Sequence, residues 1–363
     1  MKRSLFSLFV VSTVVMLSAA ACNDIHPIDP VTEVTYTYGG YFLNAGFRGE
    51  DDAEITQLNT MQAIVNPRIF ATANNGKTFG DDARDIHIFG NKMYVTLAGN
   101  KMIRVMSKFD CTDQGTVTVQ SEEDGSTLTP LFLTSFEESL IVSFKEGYVA
   151  LIDTVSFLPR ILQKVGAAAG QVAIANQKLY VASSDDEEAA GGFLLMLNPV
   201  DLHIMKTIDV APNPTRMVTD PSSGDLYVIS AGDDVTEGFL QCINSDTDEV
   251  TVVRDVSNPT LLDAGPDHAL VIYTEDASEP TGGKFLVYHT ETQKVEGEFI
   301  RDGSYVSEPC MIAIDRNAGN VYIAQSPGKS FGTMYIFTSY GQFLTSFNTG
   351  APNPCGAVFV TGR

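Results

Sequence analysis

The chain closes on NPCGAVFVTGR, Asn353 to Arg363, and 45 residues earlier it reads EPCMIAIDRNA from Glu308. The final segment is the opening of a unit whose remainder does not follow it. A fold that accommodates such a fragment has to complete the unit elsewhere in the chain.

Self-similarity identifies the unit. An apolar strand, a polar turn and a second strand recur seven times, with the later strand at EITQLNT (from Glu54), MIRVMSK (Met102), YVALIDT (Tyr148), FLLMLNP (Phe193), FLQCINS (Phe239), FLVYHTE (Phe285) and MYIFTSY (Met334). The spacings are 48, 46, 45, 46, 46 and 49 residues. Ahead of each lies a strand such as KMYVT, KLYVA, DLYVI or NVYIA, and ahead of that a further strand opened by a turn residue: ARDIHIF, LTPLFLTS, GQVAIA, PTRMVTD, PTLLDAG and PCMIAID. Alternating apolar, β-branched and aromatic residues bounded by Gly, Asn and Asp are strand signals, and no 3.6-residue period competes with them after the N-terminal segment. Four strands in such a repeat have the size of a propeller blade. Six blades have their strands in order, while the first begins at its second strand, YFLN from Tyr41. The sequence thus predicts an all-β, seven-bladed propeller over residues 37–363 with four-stranded blades, closed by residues 354–360 pairing beside YFLN in the first blade. A linear solenoid is the alternative, and it would need capping repeats that the sequence does not show.

The Tyr-Val pairs Tyr94-Val95, Tyr180-Val181 and Tyr227-Val228, the blade APNPTRMVTDPSSGDLYVIS and the opening GGYFLNAG resemble the YncE-like YVTN propellers. The closer likeness is to lipid-anchored propellers of the DUF5074 type. The resemblance implies the fold and leaves function open, because propellers host binders, enzymes and scaffolds alike. A minority of such lipoproteins capture cobalamin at the cell surface and pass it to a TonB-dependent outer-membrane transporter, which makes a corrinoid the candidate ligand. The absence of Trp disfavours WD40 proteins and weakens a glycan-binding reading.

Residues 1–21 read as a secretory signal: Lys2 and Arg3, an apolar run from Leu5 to Leu17, then Ser18, Ala19, Ala20 and Ala21 before Cys22. This resembles a bacterial lipoprotein signal, although Ala19 stands where Leu is commonest, and it implies lipidation of Cys22, residues 22–36 as a tether, and an anchor in the outer membrane facing outward. Cys111, Cys242, Cys310 and Cys355 remain. Cys310 and Cys355 occupy the same place in two repeats, which makes them the best disulfide pair; four buried free thiols is the other reading.

Five of the loops between second and third strands are long: NAGFRGEDDAEI, SSDDEEAAGG, SAGDDVTEG, TEDASEPTGGK and QSPGKSFGT. In a propeller they rise on one face, together with the connections entering the innermost strands. They carry Asp51, Asp52, Asp185, Asp186, Asp233, Asp234, Glu275 and Asp276, in a chain of formal charge −22. Such a face repels nucleic acid and anionic head groups and favours cationic or amide-rich ligands or a basic partner protein; the same acid also keeps an exported protein soluble. Arg84, Asp85, Gln171, Arg216 and Thr260, with Thr215, open the innermost strands and face the central channel, either as a small-ligand site or as caps of the strand starts. Phe47 and Phe331 sit on loops as stacking platforms or as loop anchors.

No HExxH pair, GxSxG elbow or DxDxDG loop is present. The expectation is a monomeric binding protein rather than an enzyme, without a cofactor or metal. A protein-interaction scaffold is the alternative, and a propeller lactonase or lyase the least favoured reading.

Overall fold

The computed structural model describes residues 35–184, 192–233, 236–279, 282–328 and 330–362. Its strands form seven four-stranded antiparallel sheets. The innermost strands are Pro354–Gly362, Ala83–Phe89, Pro130–Phe136, Ala168–Ala175, Pro214–Thr219, Pro259–Ala264 and Pro309–Ile314 for blades one to seven. In blade one the C-terminal strand pairs with Tyr36–Asn44, running from Tyr36↔Gly362 through Tyr41↔Val358 to Asn44↔Pro354. That is the ring closure expected from the repeat, and it covers the inner edge that blade one would otherwise leave unpaired.

The Tyr-Val pairs have a direct packing explanation. Side chains alternate across a strand, and each sheet is flanked by two others, so successive residues of the second strand enter opposite inter-blade cores. Tyr94 packs with Leu140 and Val142 of blade three, while Val95 packs with Tyr41 and Leu43 of blade one. Tyr227 faces Leu262 and Ile272 of blade six, and Val228 faces Tyr180 of blade four. Burial on both faces explains why these strands read as continuous apolar runs. At the closure, Phe42 packs on Tyr322 at 5.3 Å, Phe347 at 5.4 Å and Phe359 at 6.3 Å between ring centroids, so blade seven and both strands of the closure share one core.

Two further features shape the channel mouth. The residue leading into the innermost strand takes a left-handed conformation in five blades, at Asp82, Asn213, Asn258, Glu308 and Asn353, and four of these are Asn or Asp, the residues that tolerate it best. Near its start, every innermost strand also carries a register shift of one residue. This bulge re-aims side chains where the strand meets the mouth.

The structure also departs from the sequence reading in two places. A short helix, Ile69–Ala73, follows the three-residue outer strand of blade one and buries Phe70. Cys310 and Cys355 are both free thiols, not a disulfide. Each donates instead to a carbonyl of the following blade, Cys310 to Pro354 at 3.2 Å and Cys355 to Ala83 at 3.7 Å. Equivalent repeat positions lie on neighbouring blades rather than neighbouring strands, so each thiol meets the backbone across the gap.

Candidate functional site

The loops between second and third strands share a face with the lead-in residues, because they are hydrogen-bonded to them. The amides of Ala45, Ala98, Lys145, Ala231, Glu275 and Ser326 donate to the carbonyls of Asn353, Asp82, Thr129, Asn213, Asn258 and Glu308. Tyr36 and Gly362 lie at the opposite end of their strands, on the other face. Phe47, Phe331, Asp51, Asp52, Asp233, Glu275 and Asp276 therefore surround the same mouth. Asp185, Asp186 and Asp234 lie outside the described residues, as do Cys22 and the signal segment.

Asp85 and Gln171, expected as ligand contacts, reach the innermost strand of the next blade. Asp85 accepts from the amides of Ile86 and Leu133, each at 2.8 Å. Gln171 accepts from the Met217 amide at 2.7 Å and donates to its carbonyl at 3.1 Å. Asp263, which sequence reading passed over, does the same two residues deeper, accepting from Ile314 at 2.7 Å. Blades two, four and six are thus stapled to three, five and seven. Burial pushes the Asp85 carboxyl up to about 7 against the two amides that lower it. His87, two residues deeper than Asp85, bonds Ser135 Oγ at 2.9 Å, and burial pushes it down to about 4, so its imidazole is neutral.

The arginines differ from these staples. Arg84 is 48% exposed and pairs with Asp82 at 2.8 Å. Arg216 is partly buried, and its side chain makes no hydrogen bond or ion pair with the described residues. Thr215 Oγ1 donates to Ile229 at 3.3 Å, a backbone cap rather than a ligand contact.

A cleft of about 210 Å³ opens on the loop face, lined by Asp51, Asp52, Glu54, Arg68, Lys77 and Phe331 among others. Phe331 is 54% exposed there, whereas Phe47 is half-buried in its own loop, its amide held by Asp52 at 2.6 Å. Burial raises the Glu54 carboxyl despite Arg68 at 3.9 Å. Asp233 and Asp276 close turns through Thr236 and Ser278. Arg68 and Lys77 were missed because they lie on the helix-bearing connection rather than on a repeat loop. Among the described residues no group of three or more His, Cys, Asp and Glu side chains could hold a metal.

These features define a seven-bladed propeller with one elaborated face. The chain belongs to the family described as "Domain of unknown function (DUF5074)", which matches residues 38–294, from blade one to the outer edge of blade six. No curated protein matches the sequence. Among solved structures, the chain is similar to a functionally unknown protein from Desulfotomaculum acetoxidans, at 10% identity over 89% of this chain and 99% of that one, with a TM-score of 0.62. It also resembles Kuenenia stuttgartiensis hydrazine synthase (15% identity, 73% of this chain and 79% of that one, TM-score 0.57). A third likeness is to the dihydro-heme d1 dehydrogenase NirN (9%, 87% and 68%, TM-score 0.57). At these identities the likeness concerns the fold.

Proposed function

We propose that this is a binding protein, lipid-anchored through Cys22 at the outer face of an outer membrane, which captures a small ligand on its long-loop face. The candidate is a corrinoid such as cobalamin, for delivery to a TonB-dependent transporter. The observation that carries the binding reading is the cleft of about 210 Å³ that exposed Phe331 lines together with Asp51, Asp52 and Arg68 on the long-loop face. A concave apolar platform with a few convergent polar groups suits a small ligand. A corrinoid exceeds this cleft, so it would seat one edge there and extend over the mouth. Binding is favoured over catalysis because, of the hydroxyl–imidazole contacts among the described residues, Ser135 with His87 has no third group orienting the imidazole, and Thr290 with His268 has its hydroxyl donated to Asp220 at 2.6 Å, on a hairpin away from the long loops.

Thermal unfolding of the protein against cobalamin, haem, simple sugars and calcium tests this. A concentration-dependent rise in Tm with cobalamin alone, lost in Phe331→Ala, is the expected result. No shift with any compound would remove the small-ligand reading. The acidic loops favour a second reading, a scaffold for a basic partner protein, which predicts salt-sensitive association instead.

A further inference from the structure

We propose that the face opposite the long loops is a lipid-docking face, on which the outer-hairpin tips of blades seven, one, two, three and four enter the head-group layer of a bilayer. This rests on the lipid-anchored reading and adds how the ring meets the surface.

The hairpins joining third and fourth strands open on the face that carries Tyr36 and Gly362. They share one turn, in which a side chain at the end of the third strand accepts from an amide two or three residues on. In blade two Ser107 accepts from Phe109 at 3.3 Å, in blade three Asp153 from Val155 at 3.1 Å, in blade four Asn198 from Val200 at 2.8 Å and in blade seven Thr338 from Tyr340 at 3.3 Å. Asn59, Asn244 and His289 take the same place in blades one, five and six.

The residue two places after this acceptor stands at the tip. It is Met61, Phe109, Val155, Val200 and Tyr340 in five blades, each between 56% and 86% exposed. In blades five and six it is Asp246 and Glu291, also exposed. Blades seven and one share a core, so the apolar tips occupy consecutive blades and the acidic ones interrupt the ring at a single place. Apolar side chains scattered singly over a surface need no explanation, but one turn position filled this way in consecutive blades is a patterned surface. The long loops have no counterpart, since Phe331 is the one large apolar side chain exposed among their described residues.

The occupant is a lipid surface for three reasons. The first strand starts on this face at Tyr36, in blade one and so within the apolar arc. Residues 22–36, even fully extended, span at most about 50 Å, so an acylated Cys22 keeps the face within that distance of its bilayer. The tips stand on separate hairpins, each of which a fluid head-group layer admits independently, whereas a rigid protein would need a complementary pocket for every one. Charge sets the kind of lipid: the same turns carry Asp110, Asp153 and Asp201 beside Lys108, so the attraction comes from burying apolar area and not from anionic head groups.

The chain contains no Trp, so a single introduced Trp reports its own surroundings. Phe109→Trp, Tyr340→Trp and, on the long-loop face, Phe331→Trp are made in the full chain and mixed with phosphatidylcholine vesicles with and without brominated acyl chains. The expected result is blue-shifted emission, quenched by the brominated lipid, at positions 109 and 340 and unchanged emission at 331, with no loss on raising the salt. Should either tip variant not fold, Val155→Trp takes its place. Quenching at neither tip, or equal quenching at 331, overturns the docking face. A concentration-dependent blue shift of the tips without vesicles also overturns it, by assigning the face to a second copy of the chain. Mass analysis of Cys22 from the membrane fraction reads the anchor separately: an unmodified Cys22 with both tips quenched removes the anchor and keeps the docking face, and an acylated Cys22 with neither tip quenched does the reverse.

Discussion

Replacing Asp85 by Asn should flatten part of the protein's pH dependence of stability. The folded-state carboxyl is pushed up to about 7 from an ordinary 3.8 by burial. Between those values the native state holds a proton that the unfolded chain has released, so stability falls as pH rises. A displacement of about three units corresponds to about 4 kcal/mol, an upper bound because Asp85 keeps some solvent contact at the mouth. The amide cannot ionise, so the stability difference between wild type and variant should drift in the variant's favour by up to about 4 kcal/mol from pH 4 to pH 8. A constant offset is expected on top of it, since one of the two amides loses its acceptor, at a cost of about 1–3 kcal/mol. Urea unfolding at unit pH intervals measures both quantities, and only the drift bears on the ionisation. Parallel pH profiles would show that Asp85 titrates normally and that its amide contacts outweigh its burial.

Two other outcomes follow from the packing. Phe42, fully buried at the closure, should cost about 3–5 kcal/mol on truncation to Ala, and a loss under 1 kcal/mol by urea unfolding would mean that the closure core is not as packed as described. Burial raises Cys310 to about 12 and Cys242 to about 11, and lifts Cys111 and Cys355 as well. At pH 8 these thiols should react with a small thiol reagent at least about 10²-fold more slowly in the native protein than after unfolding; rapid native labelling of Cys355 would contradict its placement.

The blades were legible because a propeller repeats one local pattern, and the closure was legible because the last repeat breaks off where the first is incomplete. The helix at Ile69–Ala73 was not, since five residues carry too little periodicity to register. The mouth was half legible. Arg84, Asp85, Gln171 and Arg216 were located by their repeat position, but whether each meets a neighbour's backbone or the channel depends on a bulge that composition does not encode. Asp263 was missed for the same reason: it staples blades six and seven from two positions deeper. Phe47 and Phe331 looked alike in sequence, and only the turn closed by Asp52 separates the anchored ring from the open one.

The pairing of Tyr36 with Gly362 fixes where the ring can be held. Thr37 is bonded to Asp315 and Thr60 to the Tyr38 carbonyl, at hairpins on the side away from the long loops. Tension applied at Tyr36 therefore enters the ring near its seam, at the end of its strand away from the long loops. Load entering there runs along a strand bonded to a partner on each flank, so it shears two ladders together instead of peeling one open.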